Sequence, residues 1–263
     1  MSAPTSLPSV PIEEILNPPY VSVLCYPTPS DADASARLTE LKSLGVSKLV
    51  FEGKTKLGYL GLLGKGCVSL VVKAEREGQL IALKIRRIDA NRPTLEDEAR
   101  LTKLANQVGV GPSLISYSKN FILMELVQGV RIVDWLKDLS GKGMMKKLRM
   151  VLKETLDQCR RLDKAGIDHG ELSTLTKHVI VSNKVSIIDF ETASLHRRLA
   201  NVTSAVQYLF IGGPGAKKVR RLLNIPDTNR TIEAVRAYKS KFDEESFTNL
   251  LRVLKMVNLK IPQ

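Results

Sequence analysis

The sequence of 263 residues has few aromatic residues, which make up 5% of it, and three cysteines. Cys25, Cys67 and Cys159 are too widely spaced for a disulfide framework or a zinc site, which favours a reducing cytoplasm. No apolar run approaches the roughly 20 residues of a membrane-spanning helix. The first residues also lack the basic and apolar segments of a secretion signal. We therefore expect a globular cytoplasmic protein, monomeric and without a membrane partner.

Acidic residues are fewer than basic ones, with 27 Asp or Glu against 40 Lys or Arg. The excess is uneven: residues 137–165 carry nine basic residues against four acidic ones, and residues 197–263 carry thirteen against five. Residues 166–196, which lie between them, carry two against four. Basic surroundings of an acidic segment suit a polyanionic macromolecule that is delivered to a metal-dependent site. A highly charged surface without a ligand is the alternative.

The pattern of apolar residues divides the sequence into a strand-rich first half and a helical second half. We expect a flexible leader over residues 1–19 and a strand–helix–strand extension over residues 20–58, with YVSVLCY and KLVFEG as its strands. Residues 59–127 would form a β-rich lobe with one helix, and residues 128–263 a helical lobe with basic C-terminal helices. This order is that of an α+β, bilobal protein-kinase-like fold.

The stretch GLLGKGCVSLVV places glycines between two predicted strands. Gly64-x-Gly66-x-x-Ser69-x-Val71 follows the glycine-loop pattern of kinases, with Ser in place of the third Gly. Glycine in such a loop lets backbone N–H groups approach the phosphates of a nucleotide. Taken alone, a glycine-rich hairpin turn without a ligand is an equally good interpretation.

Lys84 lies within the apolar strand IALKI, and a lysine is rarely buried without a partner. In a kinase it would bind the α- and β-phosphates of ATP and pair with Glu98 of the next helix, or with Glu96. FILMELVQG is similar to a kinase hinge, in which Met124 would lie behind the adenine and the backbone of the next two residues would bind it. Taken alone, this stretch fits any core strand equally well. An edge-strand lysine that points to water is the alternative for Lys84. The predicted ATP site comprises Gly61, Gly64, Gly66, Ser69, Val71, Ala82, Lys84, Met124, Glu125, Leu126 and Ile188.

The segment from Asp168 to Glu191, DHGELSTLTKHVIVSNKVSIIDFE, has the layout of a phosphoryl-transfer loop. Asp189 ends an apolar strand, where a carboxylate needs compensation such as a magnesium ion that bridges nucleotide phosphates. Glu171 stands at the position of the catalytic base, which deprotonates the attacking hydroxyl, and His169 would brace the turn. A polar turn before a hairpin is the alternative. The predicted catalytic residues are Lys84, Glu98, Glu171 and Asp189.

His178 stands where a second metal ligand is expected, although imidazole is a poor ligand for magnesium. It could contact a metal-bound water or a phosphate, bind manganese, or have a purely structural role. We take Asp189 and His178 as the predicted metal ligands, with Mg²⁺ or Mn²⁺ as the ion and ATP as the nucleotide.

Several stretches of the sequence together resemble a known family. IDHGELS…KHVIVSNKVSIIDFETAS resembles the compact archaeal kinases related to the RIO kinases and to the small kinase of the KEOPS complex. GLLGKGCVSLVV, ANQVGVGP and NVTSAVQYLF are more similar to one archaeal branch, which includes RNA kinases. The resemblance covers roughly residues 45–212. It implies an ATP-dependent transfer of phosphate to the ribose 2′-hydroxyl of a uridine in the variable-loop region of tRNA, which would stabilise the tRNA.

The residues after Glu191 contain no Ala-Pro-Glu element and leave little room for the helices on which protein kinases bind a peptide. They carry HRR, KKVRR and RAYKSK instead, and the scarcity of aromatics favours recognition of a folded RNA by its shape and backbone. Two alternatives stay open: a protein serine/threonine kinase of the RIO or KEOPS type, and a nucleotide-gated RNA-binding module in which Glu171 and His178 mark lost chemistry. The predicted RNA-binding residues are Lys146, Lys147, Arg149, Arg197, Arg198, Lys217, Lys218, Arg220 and Arg221.

Overall fold

The structure, a computed structural model, describes residues 9–225 and 227–257. The protein is α+β, and its chain divides into two compact units. The first comprises the chain up to Lys103 together with Pro112–Val127, and the second comprises Leu104–Gly111 together with the chain from Gln128 onward. No helix in the described residues is both long and apolar enough to cross a membrane.

The first unit is built around one antiparallel sheet. Its strands are β1 (Ser9–Pro11), β2 (Val46–Val50), β3 (Thr55–Leu57), β4 (Leu60–Leu62), β5 (Gly64–Lys65), β6 (Ser69–Arg76), β7 (Gln79–Arg86), β8 (Leu114–Tyr117) and β9 (Phe121–Glu125). The strand order is β1-β2-β6-β7-β9-β8, with β5 also paired to β6, while β3 and β4 form a separate hairpin. β6 buries alternate residues such as Leu70 and Val72, whereas β7 buries all five residues from Ile81 to Ile85. β7 is therefore an inner strand with neighbours on both sides.

The first described residues belong to the core rather than to a flexible leader. β1 pairs with β2 at the edge of the sheet, so that Val10 lies opposite Leu49. A 3₁₀ helix at Ile12–Glu14 follows, and both Val10 and Ile15 are buried. The prediction of a flexible leader is wrong for this part, because the strand pairing and the apolar burial fix it. Residues 1–8 of the predicted leader lie outside the described residues.

The predicted strand–helix–strand extension is part of the same unit. The helices here are α1 (Val21–Leu24), α2 (Asp31–Ser43) and α3 (Glu96–Gln107). YVSVLCY, predicted as a strand, contains α1 instead. Cys25 N–H donates to Val21 O at 3.0 Å and Leu24 N–H donates to Tyr20 O at 3.4 Å, which are the backbone hydrogen bonds of a helical turn. β2 lies between β1 and β6 in the main sheet, so residues 20–58 do not form a separate extension.

The second unit is mainly helical. Its helices are α4 (Ile132–Asp138), α5 (Met144–Lys164), α6 (Leu175–His178), α7 (Asn201–Val206), α8 (Ala216–Leu223), α9 (Thr228–Lys241) and α10 (Glu244–Val253), with a 3₁₀ turn at Leu172–Thr174 and a π-helical segment at Gln207–Gly212. A small antiparallel sheet joins β10 (Val130–Arg131), β11 (Val179–Val181) and β12 (Val185–Ile187) in that order. α5 packs against β12 and α7 with a helical stripe of apolar residues. The stripe comprises Leu148, Leu152, Leu156, Cys159 and Leu162.

Candidate functional site

Lys84 and Glu98 form a buried ion pair in the first unit. Lys84 lies on β7, opposite Val71 of β6 and Ile122 of β9. Its Nζ donates to Glu98 Oε1 at 2.6 Å, and each side chain exposes 4% of its surface. Glu96, the second predicted partner, is exposed. The structure therefore brings Lys84 and Glu98 together, and the interpretation of Lys84 as a lysine on an edge strand is wrong.

The predicted glycine loop lies on the same sheet as Lys84. Gly64 of β5 lies opposite Val71, and Val71 lies opposite Lys84. Gly66 N–H donates to Ser69 O at 2.8 Å and closes the turn between β5 and β6. Ser69 itself is buried at the start of β6. The loop is thus a tight hairpin turn, two strands away from the lysine.

Packing accounts for one of the three glycines but not for the other two. A Cβ at Gly61 would lie 2.9 Å from Gly53 N, so the backbone could not accept it without moving. A Cβ at Gly64 would meet nothing closer than 3.9 Å, and one at Gly66 nothing closer than 3.5 Å. Neither of these two residues has a positive φ. Close approach of a ligand to the backbone is a reason for glycine at both positions that packing does not supply.

The strand predicted as the nucleotide hinge is β9. Met124 lies opposite Ala82 of β7, and Met124, Glu125 and Leu126 are all half-buried. Glu125 N–H donates to Ser113 O at 2.9 Å. This N–H group is therefore not available to a nucleotide base, because strand pairing toward β8 continues to this point. The prediction that the Glu125 backbone binds a base is therefore wrong for this N–H group.

The His-Gly turn of the second unit is closed by contacts with the chain that follows β12. Asp168 and Ser194 form a β-bridge with N···O distances of 2.9 and 2.8 Å. Gly170 has a φ of 89°, and a Cβ there would lie 2.9 Å from Thr192 O, so the turn requires glycine. Arg197, which was predicted to bind RNA, donates from Nε to Asp168 Oδ2 at 2.9 Å. Its guanidinium group thus helps to hold the turn.

His169 is buried behind this turn in its neutral form. Its Nε2 lies 3.1 Å from Ile188 O, and because a carbonyl oxygen can only accept, Nε2 carries the proton. Its ring centroid lies 5.1 Å from that of Phe190. Burial, and secondarily the neighbouring His178, lower the pKa of His169 to about 4. These contacts are those of a residue that braces the turn.

A buried polar network, which no sequence pattern indicated, links the turn to α5 and α9. Asn201 Oδ1 accepts from His169 N–H at 2.9 Å, while Asn201 Nδ2 donates to Asp163 Oδ1 at 2.8 Å and to Ile167 O at 2.7 Å. Tyr238 Oη donates to Asp163 Oδ2 at 2.8 Å. Burial raises the pKa of Asp163, although these hydrogen bonds oppose the shift. Asn201 opens the stretch NVTSAVQYLF, so it could have been found there, whereas nothing local marks Asp163.

Glu171, His178 and Asp189 offer ligand atoms that all lie within 4.8 Å of one another. β11 begins directly after His178, and Ile188 N–H donates to His178 O at 2.9 Å, so the β11–β12 hairpin brings His178 beside Asp189. Asp189 has a φ of 71°, a left-handed conformation that is uncommon outside glycine and is typical of functional sites.

The same three side chains differ in exposure. His178 Nε2 lies 3.1 Å from Glu171 Oε2; the His178 side chain exposes 5% of its surface and that of Glu171 exposes 41%. Asp189 is half-buried. Two carboxylates and an imidazole at this spacing can hold a divalent cation, and Glu171 is exposed enough to accept a proton from a substrate.

The predicted RNA-binding residues differ in how far they reach the surface. Arg149 is half-buried in α5, and Arg197 is engaged with Asp168 as described. Five of the predicted residues are exposed, and their side chains make no hydrogen bond or ion pair within the described residues. They are Lys146, Lys147, Arg198, Lys217 and Arg221.

α8 does not present four cations on one face. Lys218 Nζ donates to two carbonyl oxygens in the last turn of α4, at 2.5 and 3.1 Å. Arg220 Nη1 donates to two carbonyl oxygens of the π-helical segment, at 2.7 and 3.1 Å. Lys217 and Arg221, four residues apart, share the exposed face. Lys218 and Arg220, which were predicted to bind RNA, therefore contact the protein itself, because successive helical residues point about 100° apart.

Comparison with known proteins gives one informative relative. No family model matches the sequence. The chain is similar to Uncharacterized protein MJ1211 of Methanocaldococcus jannaschii, with 31% identity over 119 residues, which are 45% of this chain and 97% of the archaeal protein. The similar segment is thus nearly all of that protein and less than half of this one.

Proposed function

Because this chain belongs to the same family as Uncharacterized protein MJ1211, whose name states no activity, we propose its function from the chemistry of its own residues. The protein is an ATP-dependent RNA kinase that transfers phosphate to a ribose 2′-hydroxyl of tRNA. Its two units correspond to the N-lobe and C-lobe of a protein-kinase-like fold. It works as a monomer in the cytoplasm, where both ATP and tRNA are found.

The observation that carries the proposal is the buried ion pair of Lys84 and Glu98. Two charges removed from water are a poor source of stability, since their attraction seldom exceeds the lost hydration. A pair with only 4% of each side chain exposed is therefore better explained by a function in ligand binding than by a contribution to stability. In kinases a strand lysine held by a helix glutamate binds the α- and β-phosphates of ATP. The row of Gly64, Val71 and Lys84 supports this role, because packing does not demand glycine at position 64.

The chemistry of transfer is assigned to the second unit. The oxygen of the RNA 2′-hydroxyl attacks the γ-phosphorus, the bond from that phosphorus to the oxygen shared with ADP breaks, and the hydroxyl proton passes to Glu171. The half-exposed carboxylate of Glu171, fixed from one side by His178 Nε2 at 3.1 Å, suits this role. The donor set of the cluster fits a divalent cation, and Asp189 would hold it. A bound ion would neutralise the charge that develops on the transferred phosphate.

The RNA would be held by its phosphates. Lys217 and Arg221 share one exposed face of α8, and Lys146 and Lys147 are exposed at the start of α5. Such contacts release counterions and fix the RNA without reading its sequence. With aromatic residues at 5%, stacking of bases on side chains contributes little, which suits recognition of a folded RNA by its shape.

One experiment separates this function from its alternatives. The full-length protein is incubated with γ-labelled ATP and deproteinised archaeal tRNA, and in parallel with protein substrates. With folded tRNA, we expect label that survives phosphatase treatment of the chain ends. With unfolded tRNA, we expect no such label. Label in protein alone would replace the proposal by a protein serine/threonine kinase. Binding of ATP and tRNA without any transfer would replace it by a nucleotide-gated RNA-binding module.

A further inference from the structure

The three donor residues of the second unit are spaced as ligands of one ion. Ligand atoms at about 2.1 Å from an octahedral ion lie about 3.0 Å apart when adjacent and about 4.2 Å apart when opposite. His178 Nε2 and Glu171 Oε2 are 3.1 Å apart, and the atoms offered by all three residues lie within 4.8 Å of one another. The first pair already has the separation of adjacent ligands, and Asp189 needs to move by at most about 2 Å.

His178 is the best fixed of the three. The residue exposes 4% of its surface, and its carbonyl oxygen accepts the N–H of Ile188 at 2.9 Å, one residue before Asp189. Its ring packs edge-on against His169, with centroids 5.3 Å apart. A ligand residue that is held by backbone pairing and packing keeps its position when an ion binds, so its side chain loses little conformational entropy on binding.

One nitrogen of this buried ring lacks a hydrogen bond. His178 Nδ1 has no partner among the described residues, while Nε2 faces the carboxylate of Glu171. A buried polar atom without a partner costs about 1–3 kcal/mol, and such atoms are kept in native proteins where an ion or a reaction uses the group. Without an ion, His178 Nε2 donates its proton to the Glu171 carboxylate, which can only accept, and the lone pair lies on Nδ1. A cation between these two side chains would take the place of that proton, and the proton of the neutral ring would then lie on Nδ1.

We propose that His178 is a direct ligand of a divalent cation together with Glu171 and Asp189, and that the cluster therefore binds Mn²⁺ more tightly than Mg²⁺. Mg²⁺ prefers oxygen ligands and gives up its waters reluctantly, whereas Mn²⁺ is a transition-metal ion that accepts imidazole more readily than Mg²⁺ does. This proposal rests on the proposed function in one respect, since it names the ion of the site that is proposed to transfer phosphate. Its test does not require phosphate transfer.

The test measures Mn²⁺ bound to the nucleotide-free, full-length protein by electron paramagnetic resonance. The signal of free Mn²⁺ gives the dissociation constant, and spin-echo modulation detects a nitrogen atom bound directly to the ion. We expect modulation from one imidazole nitrogen in the wild type, with a changed pattern when the histidines carry ¹⁵N. His178→Asn should lose the modulation and weaken Mn²⁺ binding at least about tenfold. His196→Asn, which changes an exposed histidine, is the matched control and should bind as the wild type does.

Competition by Mg²⁺ tests the preference itself. A large excess of Mg²⁺ should be needed to displace Mn²⁺ from the wild type and a smaller excess from His178→Asn, in which an amide oxygen replaces the imidazole. Displacement of Mn²⁺ from the wild type by an equal concentration of Mg²⁺ would overturn the proposal. So would Mn²⁺ bound without nitrogen modulation, modulation that persists in His178→Asn, or no Mn²⁺ binding at millimolar concentrations.

The test also covers a variant that does not fold and a protein whose ion binding and activity disagree. If His178→Asn does not fold, as judged by circular dichroism, the ¹⁵N-histidine experiment on the wild type decides the question alone. Nitrogen-coupled Mn²⁺ in a protein that transfers no phosphate would refute the RNA kinase function and leave the ligand assignment standing. Phosphate transfer to RNA with an ion bound only by oxygen would support the RNA kinase function and refute His178 as a ligand.

Discussion

Lys84 Nζ and Glu98 Oε1 lie 2.6 Å apart in the first unit, and each side chain exposes 4% of its surface. On the same sheet, Lys73 pairs with Glu52, but there the side chains expose 16% and 41%. An ion pair shielded from water depends on both partners, because removal of one takes a counter-charge away from the other, which stays buried. A pair in contact with water loses little when one partner is removed. The two pairs therefore provide a matched comparison within one sheet.

Glu98→Gln should lower the free energy of unfolding by about 3 kcal/mol and weaken ATP binding, since Lys84 is no longer held. Glu52→Gln should cost less than about 1 kcal/mol and leave ATP binding unchanged. Urea denaturation measures the first effect, and calorimetric titration with a non-hydrolysable ATP analogue measures the second. Equal losses in the two variants would contradict a nucleotide-binding role of the buried pair.

Glu171→Gln should reduce the rate of phosphate transfer to tRNA by about 10²–10⁴-fold, because an amide cannot take the proton of the attacking hydroxyl. The side chain keeps its size and an oxygen atom that can still bind a cation, so the affinity for ATP should change much less than the rate. Single-turnover kinetics with labelled ATP measure the rate. Glu233→Gln, at an exposed position of α9, is the control and should transfer phosphate normally. Full activity of Glu171→Gln would remove this residue from the mechanism.

Reversal of charge on the exposed face of α8 should weaken tRNA binding. The double variant Lys217→Glu, Arg221→Glu should raise the Michaelis constant for tRNA and reduce the slope of log affinity against log salt by about 1–2. Lys239→Glu with Lys241→Glu makes the same change of net charge at exposed positions of α9 and should have a smaller effect. Filter binding at several salt concentrations distinguishes them. Equal effects of the two double variants would show that only net charge matters.

Lys218→Glu and Arg220→Glu should act differently, because both side chains donate to carbonyl oxygens of the protein itself. Their removal leaves those carbonyl oxygens without these donors, at about 1–3 kcal/mol each. We therefore expect lower thermal stability from these two variants, in contrast to Lys217→Glu. An unchanged melting temperature would mean that the contacts of α8 with α4 and the π-helical segment are dispensable.

Stability should fall on acidification, because His169 is neutral in the fold. Burial lowers its pKa to about 4, below the 6.5 of an exposed histidine, so the unfolded chain takes up a proton at a higher pH than the folded one. The contribution of His169 is complete above about pH 6.5 and is lost as the pH falls from there to about 4, by about 3 kcal/mol in all.

The variant His169→Phe isolates this titration, since it keeps a ring beside Phe190 but binds no proton. The difference in unfolding free energy between the wild type and His169→Phe should shrink as the pH falls through this range. Chemical denaturation in the presence of a chelator keeps metal ions out of the comparison. A difference that does not change with pH would contradict a buried neutral His169.

The parts of the fold that could be predicted are those with strong local patterns. β7 and α3 have clear apolar periodicity, and the order of strands and helices around them indicated an α+β protein. Lys84 was recognisable because a cation inside an apolar strand needs a partner, and the next helix supplied Glu98. For the loop of Glu171, His178 and Asp189, the two short apolar strands between its polar residues indicated a hairpin. A hairpin brings its two ends together whatever the rest of the chain does.

The parts that could not be predicted depend on distant partners. Residues around Val10 resemble a proline-rich leader until β2 is known to lie beside them. The apolar residues of YVSVLCY fit a strand as well as a helix, and only the backbone hydrogen bonds, such as that from Cys25 N–H to Val21 O, decide between them. Asp163 and Asn201 are 38 residues apart, and neither has a partner nearby in the sequence. On α8 the four cations look alike in sequence, and only the neighbouring carbonyl oxygens distinguish Lys218 and Arg220 from Lys217 and Arg221.

The position of the transferred phosphate on tRNA tests the central claim most directly. tRNA treated with ATP and the wild-type protein is digested with nucleases that require a free 2′-hydroxyl and is then analysed by liquid chromatography and mass spectrometry. We predict a nuclease-resistant dinucleotide that carries one additional phosphate, and none after treatment with Glu171→Gln. A phosphate found only at a chain end, or tRNA without any added phosphate, would contradict the assignment of this protein as an RNA 2′-hydroxyl kinase.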